Sequence, residues 1–308
     1  MPAEKDGANR DNELDTERAD AAYFGLDSWS PGDIIAAITD TNRRAIEAVA
    51  AARPELERAV EGIESKLAAG GRLVYAGAGT SGRLGVMDAA ELAPTFGFDD
   101  VAMVLAGGGE AQTRAQEGAE DDREDAEAQI DELDISERDA VLGIAASGRT
   151  PFTVAAVMHA KKRGAFTVGI ANNAGTPLLS VGDVGVLLDS GPEVLAGSTR
   201  LAAGTAQKAA LNAISTTVLV RLGGAYQNLM VGMRPLNAKL QVRAVKIVAQ
   251  ATGLTMAASE EALEEAGGDI RTAILMSKAG VDFETARTLL DRSGSSVTAA
   301  IEAARERG

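Results

Sequence analysis

Residues 71–85 read Gly-Arg-Leu-Val-Tyr-Ala-Gly-Ala-Gly-Thr-Ser-Gly-Arg-Leu-Gly, and this stretch decides the fold. Arg72–Ala76 is a short apolar run of strand composition that enters Gly77-Ala-Gly-Thr-Ser-Gly82 without a spacer, and a helical pattern follows. A buried strand that turns on glycines straight into a helix is the first half of a βαβ unit. Four more such runs lie downstream. They are Val101–Ala106, ending in glycines; Ala140–Ala146, ending at Ser147-Gly148; Phe166–Ala171, ending at Asn172-Asn173; and Val184–Leu188, ending in Asp189-Ser-Gly-Pro192. Helices are expected between most of them, at 82–92, 111–132, 151–163 and about 200–222. Strands that are apolar throughout and alternate with helices predict an α/β fold, a doubly wound parallel sheet covered on both faces.

On the N-terminal side, Ser30 reads as a helix N-cap with Pro31 at the first helical position. Ile34, Ile35, Ile38, Ile46, Val49, Leu56, Val60, Ile63 and Leu67 then recur at helical spacing until Gly70-Gly71. Residues 1–29 are polar and aperiodic, and read as an arm that is ordered only where something holds it. Beyond about 238 the strand signals stop. Val242–Ala251, Ser259–Ala266, Ile270–Ala279, Phe283–Leu290 and Val297–Arg305 read as short helices separated by glycine-containing turns. The expected division is an arm (1–29), N-terminal helices (30–62), a sheet domain (63–224) and a helical C-terminal domain (238–308).

Composition removes whole classes of chemistry. The 308 residues hold 30 Lys and Arg against 45 Asp and Glu, a net charge of −15, with no cysteine and one histidine. Disulfides, a thiol nucleophile, cysteine-ligated zinc and iron–sulfur clusters are excluded. A multi-histidine metal site is excluded too, and a serine triad would have to use His159, which reads as a helix surface or packing residue. The acidic balance argues against general nucleic-acid binding. No apolar run approaches the roughly 18 residues of a membrane helix. The polar N-terminus resembles neither a signal nor a transit peptide, so the cytoplasm is the default location.

Four segments carry candidate chemistry. In Gly77–Gly85 the glycines, including Gly79 and Gly82, let backbone approach an anion closely. Free amides of a helix N-terminus, with the hydroxyls of Thr80 and Ser81, supply donors. The segment also fits G-x-G-x-x-G. However, the second strand ends in Ala106-Gly-Gly-Gly109 with no acidic residue for a ribose, and two hydroxyls in the loop suit a phosphate better than a dinucleotide. Residues 145–151 place Ser147, Gly148, Arg149 and Thr150 before Pro151 at a second helix start. Alone, Ser147 and Thr150 would read as N-caps, but paired with the first turn they suggest a phosphate cradle. Residues 191–208 gather Glu193, Ser198, Thr199, Arg200 and Lys208, cations beside hydroxyls in an acidic chain. The fourth group is acidic: Asp88 and Glu91 on the helix opened by the first turn, then Glu117, Glu120, Asp121 and Asp122. The apolar flank of Glu91 suggests partial burial, which raises a carboxyl pKa toward acid–base use. Most of 117–127 reads as a solvated face.

GRLVYAGAGTSGRLGVMDAAELAPTFG, EGAEDD, GIAASGRTPF and GPEVLAGSTRLAAGTAQK together closely resemble the N-acetylmuramic acid 6-phosphate etherases, bacterial cell-wall recycling enzymes of the sugar isomerase (SIS) fold. The resemblance runs from about residue 30 to the C-terminus. It implies a flavodoxin-like three-layer SIS domain and a small UBA-like helical unit near 240–280. The related glucokinase regulatory protein shares the GPE…STR segment but carries two sugar-binding modules.

By position, the resemblance implies Glu91 and Glu120 as the active-site carboxylates. It implies Gly79, Thr80, Ser81, Gly82, Arg83, Ser147, Gly148, Arg149, Thr150, Glu193, Ser198, Thr199 and Arg200 as contacts to a sugar phosphate. Leu92-Ala93 stands where the family has Cys-Pro, and Ala202 where it usually has lysine. The arm at 1–29 also departs from the family pattern.

The implied reaction cleaves the D-lactyl ether to give N-acetylglucosamine 6-phosphate and D-lactate, by elimination and hydration. It requires no metal and no redox cofactor, and a homodimer is implied. Two readings stay open beside it: a phosphosugar isomerase on the same fold, and a non-catalytic sugar-phosphate sensor.

Overall fold

The computed structural model describes residues 14–306 apart from 115, 117 and 236. Five parallel strands form one sheet: β1 (Leu73–Gly77), β2 (Val101–Leu105), β3 (Ala140–Ile144), β4 (Phe166–Ala171) and β5 (Val184–Leu187). Their order is β2-β1-β3-β4-β5, with Tyr75 opposite both Met103 and Leu142, and Ile144 opposite Ile170. In that doubly wound order the direction of strand addition reverses between β1 and β3, and the carboxyl ends of those two neighbours open a crevice.

The helices between the strands are α3 (Gly79–Phe96), α4 (Arg123–Glu132), α5 (Pro151–Lys162) and α6 (Pro177–Val181). They are preceded by α1 (Pro31–Ala51) and α2 (Arg53–Ala68), and followed by α7 (Ala202–Leu219). Side chains alternate across the sheet with period two. Val74, Ala76, Val104 and Val141 pack with Ala126 and Ile130 of α4 and Phe152, Ala156 and Ala160 of α5. Tyr75 faces the other way, and its hydroxyl donates to Asp88 of α3 at 2.7 Å. Its side chain is 1% exposed, and at about 25 cal/mol per Å2 a buried aromatic of this size contributes several kcal/mol.

The chain divides by its contacts into two units. One takes residues up to Asp88 together with Val101–Ile214, and the other takes Ala89–Asp100 together with Ser215 onward. The second unit holds a two-stranded hairpin, Ala225–Tyr226 with Leu229–Met230, and α8 (Ala238–Thr252), α9 (Met256–Glu265), α10 (Ile270–Ala279), α11 (Phe283–Arg292) and α12 (Val297–Arg305). Helix α10 is the hub, touching the other four, and Ile270, Ala273, Ile274 and Leu275 are buried in the shared core. Asn237, Thr255, Asp269, Asp282 and Ser296 each cap their helix by accepting a backbone N–H.

One expectation needs correction. The helix expected over 111–132 forms only at 123–132. Gly107, Gly108 and Gly118 take left-handed backbone and break the segment into 3-10 turns, and extended Asp122 caps α4 through the N–H of Asp125. Residues 14–29 of the arm are described and are pinned to the sheet domain. Thr16 is fully buried, its N–H donating to Asn173 Oδ1 at 3.3 Å and its hydroxyl accepting from Asn173 Nδ2 at 3.0 Å.

Candidate active site

The crevice between β1 and β3 is a cleft of about 400 Å3. A larger recess of about 720 Å3 beside Arg44, Glu47 and Glu55 holds neither glycine–hydroxyl turn, so size does not select the site. Both turns enter the smaller cleft. Gly79, Thr80 and Ser81 come from the start of α3, Ser147, Arg149 and Thr150 from the start of α5, Glu120 and Asp121 from the 3-10 turn before α4, and Thr199 from the loop before α7.

The local backbone explains the first turn. Gly77 and Gly82 touch: a methyl on Gly82 would lie 2.9 Å from the Gly77 carbonyl oxygen. That approach lets α3 begin directly at the strand end, and its first amides, including those of Thr80 and Ser81, lack carbonyl partners within the helix and point outward. The second turn uses Gly148 at φ +63°, where a methyl would lie 2.1 Å from Thr176 Oγ1.

The hydroxyls of the two turns have different commitments. Ser81 is buried and donates to Gln207 Oε1 of α7 at 2.9 Å, while Gln207 donates to Asn172 Oδ1 at 2.9 Å. Its proton is therefore used internally. Thr150 occupies the N-cap of α5 but makes no capping hydrogen bond, and Ser147 Oγ accepts from Arg149 N–H at 3.2 Å and lies 3.4 Å from Thr150 Oγ1. The capping alternative for Thr150 is thus unsupported, and its hydroxyl is available to a phosphate.

Several residues expected at the site do not line this cleft. Glu193 is 1% exposed and caps α7, its two carboxylate oxygens accepting from Ala202 and Ala203 N–H at 2.9 Å each. Burial pushes its carboxyl above the ordinary value, and the amides and nearby Arg44 oppose this without reversing it. Ala202 is fully buried beside it. Arg83 donates to the Ala111 carbonyl at 3.1 Å. Gly82, Gly148, Ser198 and Arg200 do not line the cleft. Lys208 donates to Asn212 Oδ1, and Asn212 donates to Asp88 Oδ1 at 2.7 Å, so Asp88 is a buried anchor. Glu117 lies outside the described residues.

Glu91 is exposed, contrary to the partial burial expected, and does not line the cleft. Gly85, Asp88, Ala89 and Leu92 form the buried stripe of α3 at helical spacing, and Glu91 falls outside it. From Thr80 it is farther along the same helix by roughly 16 Å of rise. His159 pairs with Asp131 of α4 at 2.8 Å and is not in the cleft. The main residue that sequence reasoning missed is Glu17, which the arm places in the cleft.

Comparison with known proteins fits this architecture. A model of the glucokinase regulatory protein N-terminal SIS domain matches residues 55–162, and a SIS domain model matches 122–216. An N-acetylmuramic acid 6-phosphate etherase of Deinococcus radiodurans is 47% identical over 91% of this chain and 92% of its own length. The chain belongs to the N-acetylmuramic acid 6-phosphate etherase family. Etherases of Halalkalibacterium halodurans and Streptomyces avermitilis are 43% and 48% identical, covering 94% and 83% of this chain and 98% and 83% of their own lengths. Among solved structures, a phosphoheptose isomerase from Francisella tularensis aligns with a TM-score of 0.47 at 17% identity, over 62% of this chain and 97% of its own. Among the described residues, no helix is long and apolar enough to cross a membrane.

Proposed function

We infer that the chain is a carbon–oxygen lyase. It cleaves the D-lactyl ether of N-acetylmuramic acid 6-phosphate to N-acetylglucosamine 6-phosphate and D-lactate, in the cytoplasm, during cell-wall recycling. Family membership carries the activity. The cleft between β1 and β3 carries the site assignment, because it joins two helix N-termini, a Thr150 hydroxyl that caps no helix and the Glu120 carboxylate.

The chemistry follows from the substrate. An ether oxygen is a poor leaving group, and the proton on sugar carbon 2 is not acidic in the closed ring. Ring opening exposes an aldehyde at carbon 1 that acidifies carbon 2. One carboxylate removes that proton. A carboxylic acid gives a proton to the lactyl oxygen as its bond to carbon 3 breaks, leaving an unsaturated aldehyde. Water then adds at carbon 3, restoring the hydroxyl. We assign the base to Glu120 and the acid, later the water-activating group, to Glu91.

Of these two carboxylates only Glu120 lines the cleft in one chain, so this assignment has Glu91 supplied by a second copy in a homodimer. Exposed apolar side chains support such an association: Phe24, Ile35, Ile46 and Leu195 are between 50% and 69% exposed. An equal mixture of Glu91→Gln and Glu120→Gln chains, refolded together, then regains up to about a quarter of wild-type D-lactate release, because half the random dimers carry one intact site. No recovery contradicts the shared site. The isomerase reading calls for a histidine to open the sugar ring, and the chain's one histidine, His159, is held by Asp131 and does not line the cleft.

A further inference from the structure

Residues 14–18 form a single turn in which Glu17 and Arg18 N–H donate to the Leu14 carbonyl at 2.9 and 3.2 Å. Two anchors hold this turn against the cleft. Asn173, 3% exposed, bonds both Thr16 and the Ala146 carbonyl at the end of β3, the latter at 2.8 Å. Gly197 N–H donates to the Thr16 carbonyl at 3.0 Å. Both partners are far away in sequence, yet they fix one residue that is completely buried, which an incidental surface strand does not achieve.

The consequence is the placement of the next side chain. Glu17 lines the cleft together with Thr80, Glu120, Arg149 and Thr199. Its carboxylate lies on the bare Gly197 backbone, where a methyl would be 2.8 Å from Glu17 Oε2. Among the described residues no hydrogen-bond donor reaches that carboxylate. A carboxylate accepts hydrogen bonds and repels anions. It cannot serve the phosphate, nor the carboxylate of a lactyl group. It can accept from sugar hydroxyls or an acetamido N–H, the donors that a hexosamine phosphate presents between its charged ends.

We propose that residues 14–18 of the N-terminal arm form a wall of the substrate site and that Glu17 is a sugar-recognising residue, accepting a hydrogen bond from a hydroxyl or acetamido N–H of the bound sugar phosphate. The proposal rests on the sugar-phosphate reading of the cleft and adds a specificity residue to it. Thr16 and Asn173 position this carboxylate without touching the sugar.

The test measures binding of N-acetylglucosamine 6-phosphate and of inorganic phosphate by calorimetry, together with KM and kcat for D-lactate release, in wild type, Glu17→Gln and Glu17→Ala. Glu17→Ala is expected to weaken sugar-phosphate binding and raise KM at least tenfold, leave inorganic phosphate binding unchanged or slightly tighter, and change kcat far less. Glu17→Gln, which keeps an acceptor, recovers most of the affinity. An equal loss for both ligands, or no loss for either, overturns the proposal, as does a wild type that binds no sugar phosphate. A Glu17→Gln variant that binds normally but has lost kcat overturns it in favour of proton transfer by Glu17. Wild-type binding without D-lactate release contradicts the etherase reading while the binding arm still decides on Glu17.

Discussion

The turns after β1 and β3 have almost the same composition, glycine with serine and threonine, and sit side by side at the same sheet edge, yet their hydroxyls do different work. In the first, Ser81 is buried and its proton is spent on Gln207. In the second, Thr150 stands at a helix start without capping it. What separates them is the neighbouring element. Helix α7 lies behind Ser81 and brings an amide to it, whereas the Ser147–Thr150 turn carries its nearest hydroxyl pairing within itself. A shared motif therefore fixes a shared backbone path, and the tertiary surroundings decide which hydroxyls remain for a ligand.

Three substitutions sharpen that contrast. Gly148→Ala has the largest effect, since φ +63° and a methyl 2.1 Å from Thr176 Oγ1 leave no room; a loss of roughly 2–4 kcal/mol in urea unfolding is expected. Thr150→Val keeps nearly the same shape and removes a hydroxyl whose one protein partner is Ser147 Oγ at 3.4 Å. It raises KM about tenfold, the cost of one hydrogen bond to a charged group, while the urea midpoint stays put. Ser81→Ala does the reverse: it strands the Gln207 acceptor, costing about 1–2 kcal/mol of stability, and leaves KM within about threefold. If Thr150→Val were the destabilised variant and Ser81→Ala the kinetic one, the contrast would be wrong.

The smallest effect is on acid stability. Burial works to raise the Asp139 carboxyl, but hydrogen bonds from Arg72 and Ser136 outweigh it and hold it below its ordinary value of 3.8. Asp183 is likewise lowered, with Lys161 and Thr167 overcoming burial. A depressed carboxyl contributes stability that is present above its unfolded pKa and lost as pH falls through the folded value. Unfolding free energy therefore declines below about pH 4 through these two groups. Asp139→Asn, followed by urea unfolding at several pH values, flattens part of that decline and is less stable at neutral pH. Glu193 works in the opposite sense: its raised carboxyl costs stability above the unfolded pKa, and this cost is relieved on acidification.

The sheet was legible because its signals are local. Each apolar run ends in glycine or a hydroxyl turn, and the strands at 73–77, 166–171 and 184–187 fall within a residue or two of the runs quoted. Ser30 accepting from Asp33 N–H ahead of Pro31 was legible in the same way, and so were the five C-terminal helices, although α8 and α9 begin at Ala238 and Met256, ahead of the runs at Val242 and Ser259. The hairpin at Ala225–Met230 has too few residues to carry a period and leaves no signal in the sequence. The site was legible only in part. Glycine–hydroxyl turns announce an anion cradle, but the internal use of Ser81, the anchoring of Asp88 and the docking of Thr16 depend on partners 126, 124 and 157 residues away. No local pattern encodes those contacts. Glu91 shows the limit from the other side, since its apolar neighbours suggested burial but the helical period turns it outward.

The most direct test of the account is D-lactate release from N-acetylmuramic acid 6-phosphate by wild type and by Glu120→Gln, with folding of the variant checked by its urea midpoint. Wild type is expected to release D-lactate, and a folded Glu120→Gln to lose roughly 10²–10⁴ in kcat, the range for losing a general base. Undiminished release by Glu120→Gln would contradict the site, and no release by wild type would contradict the function.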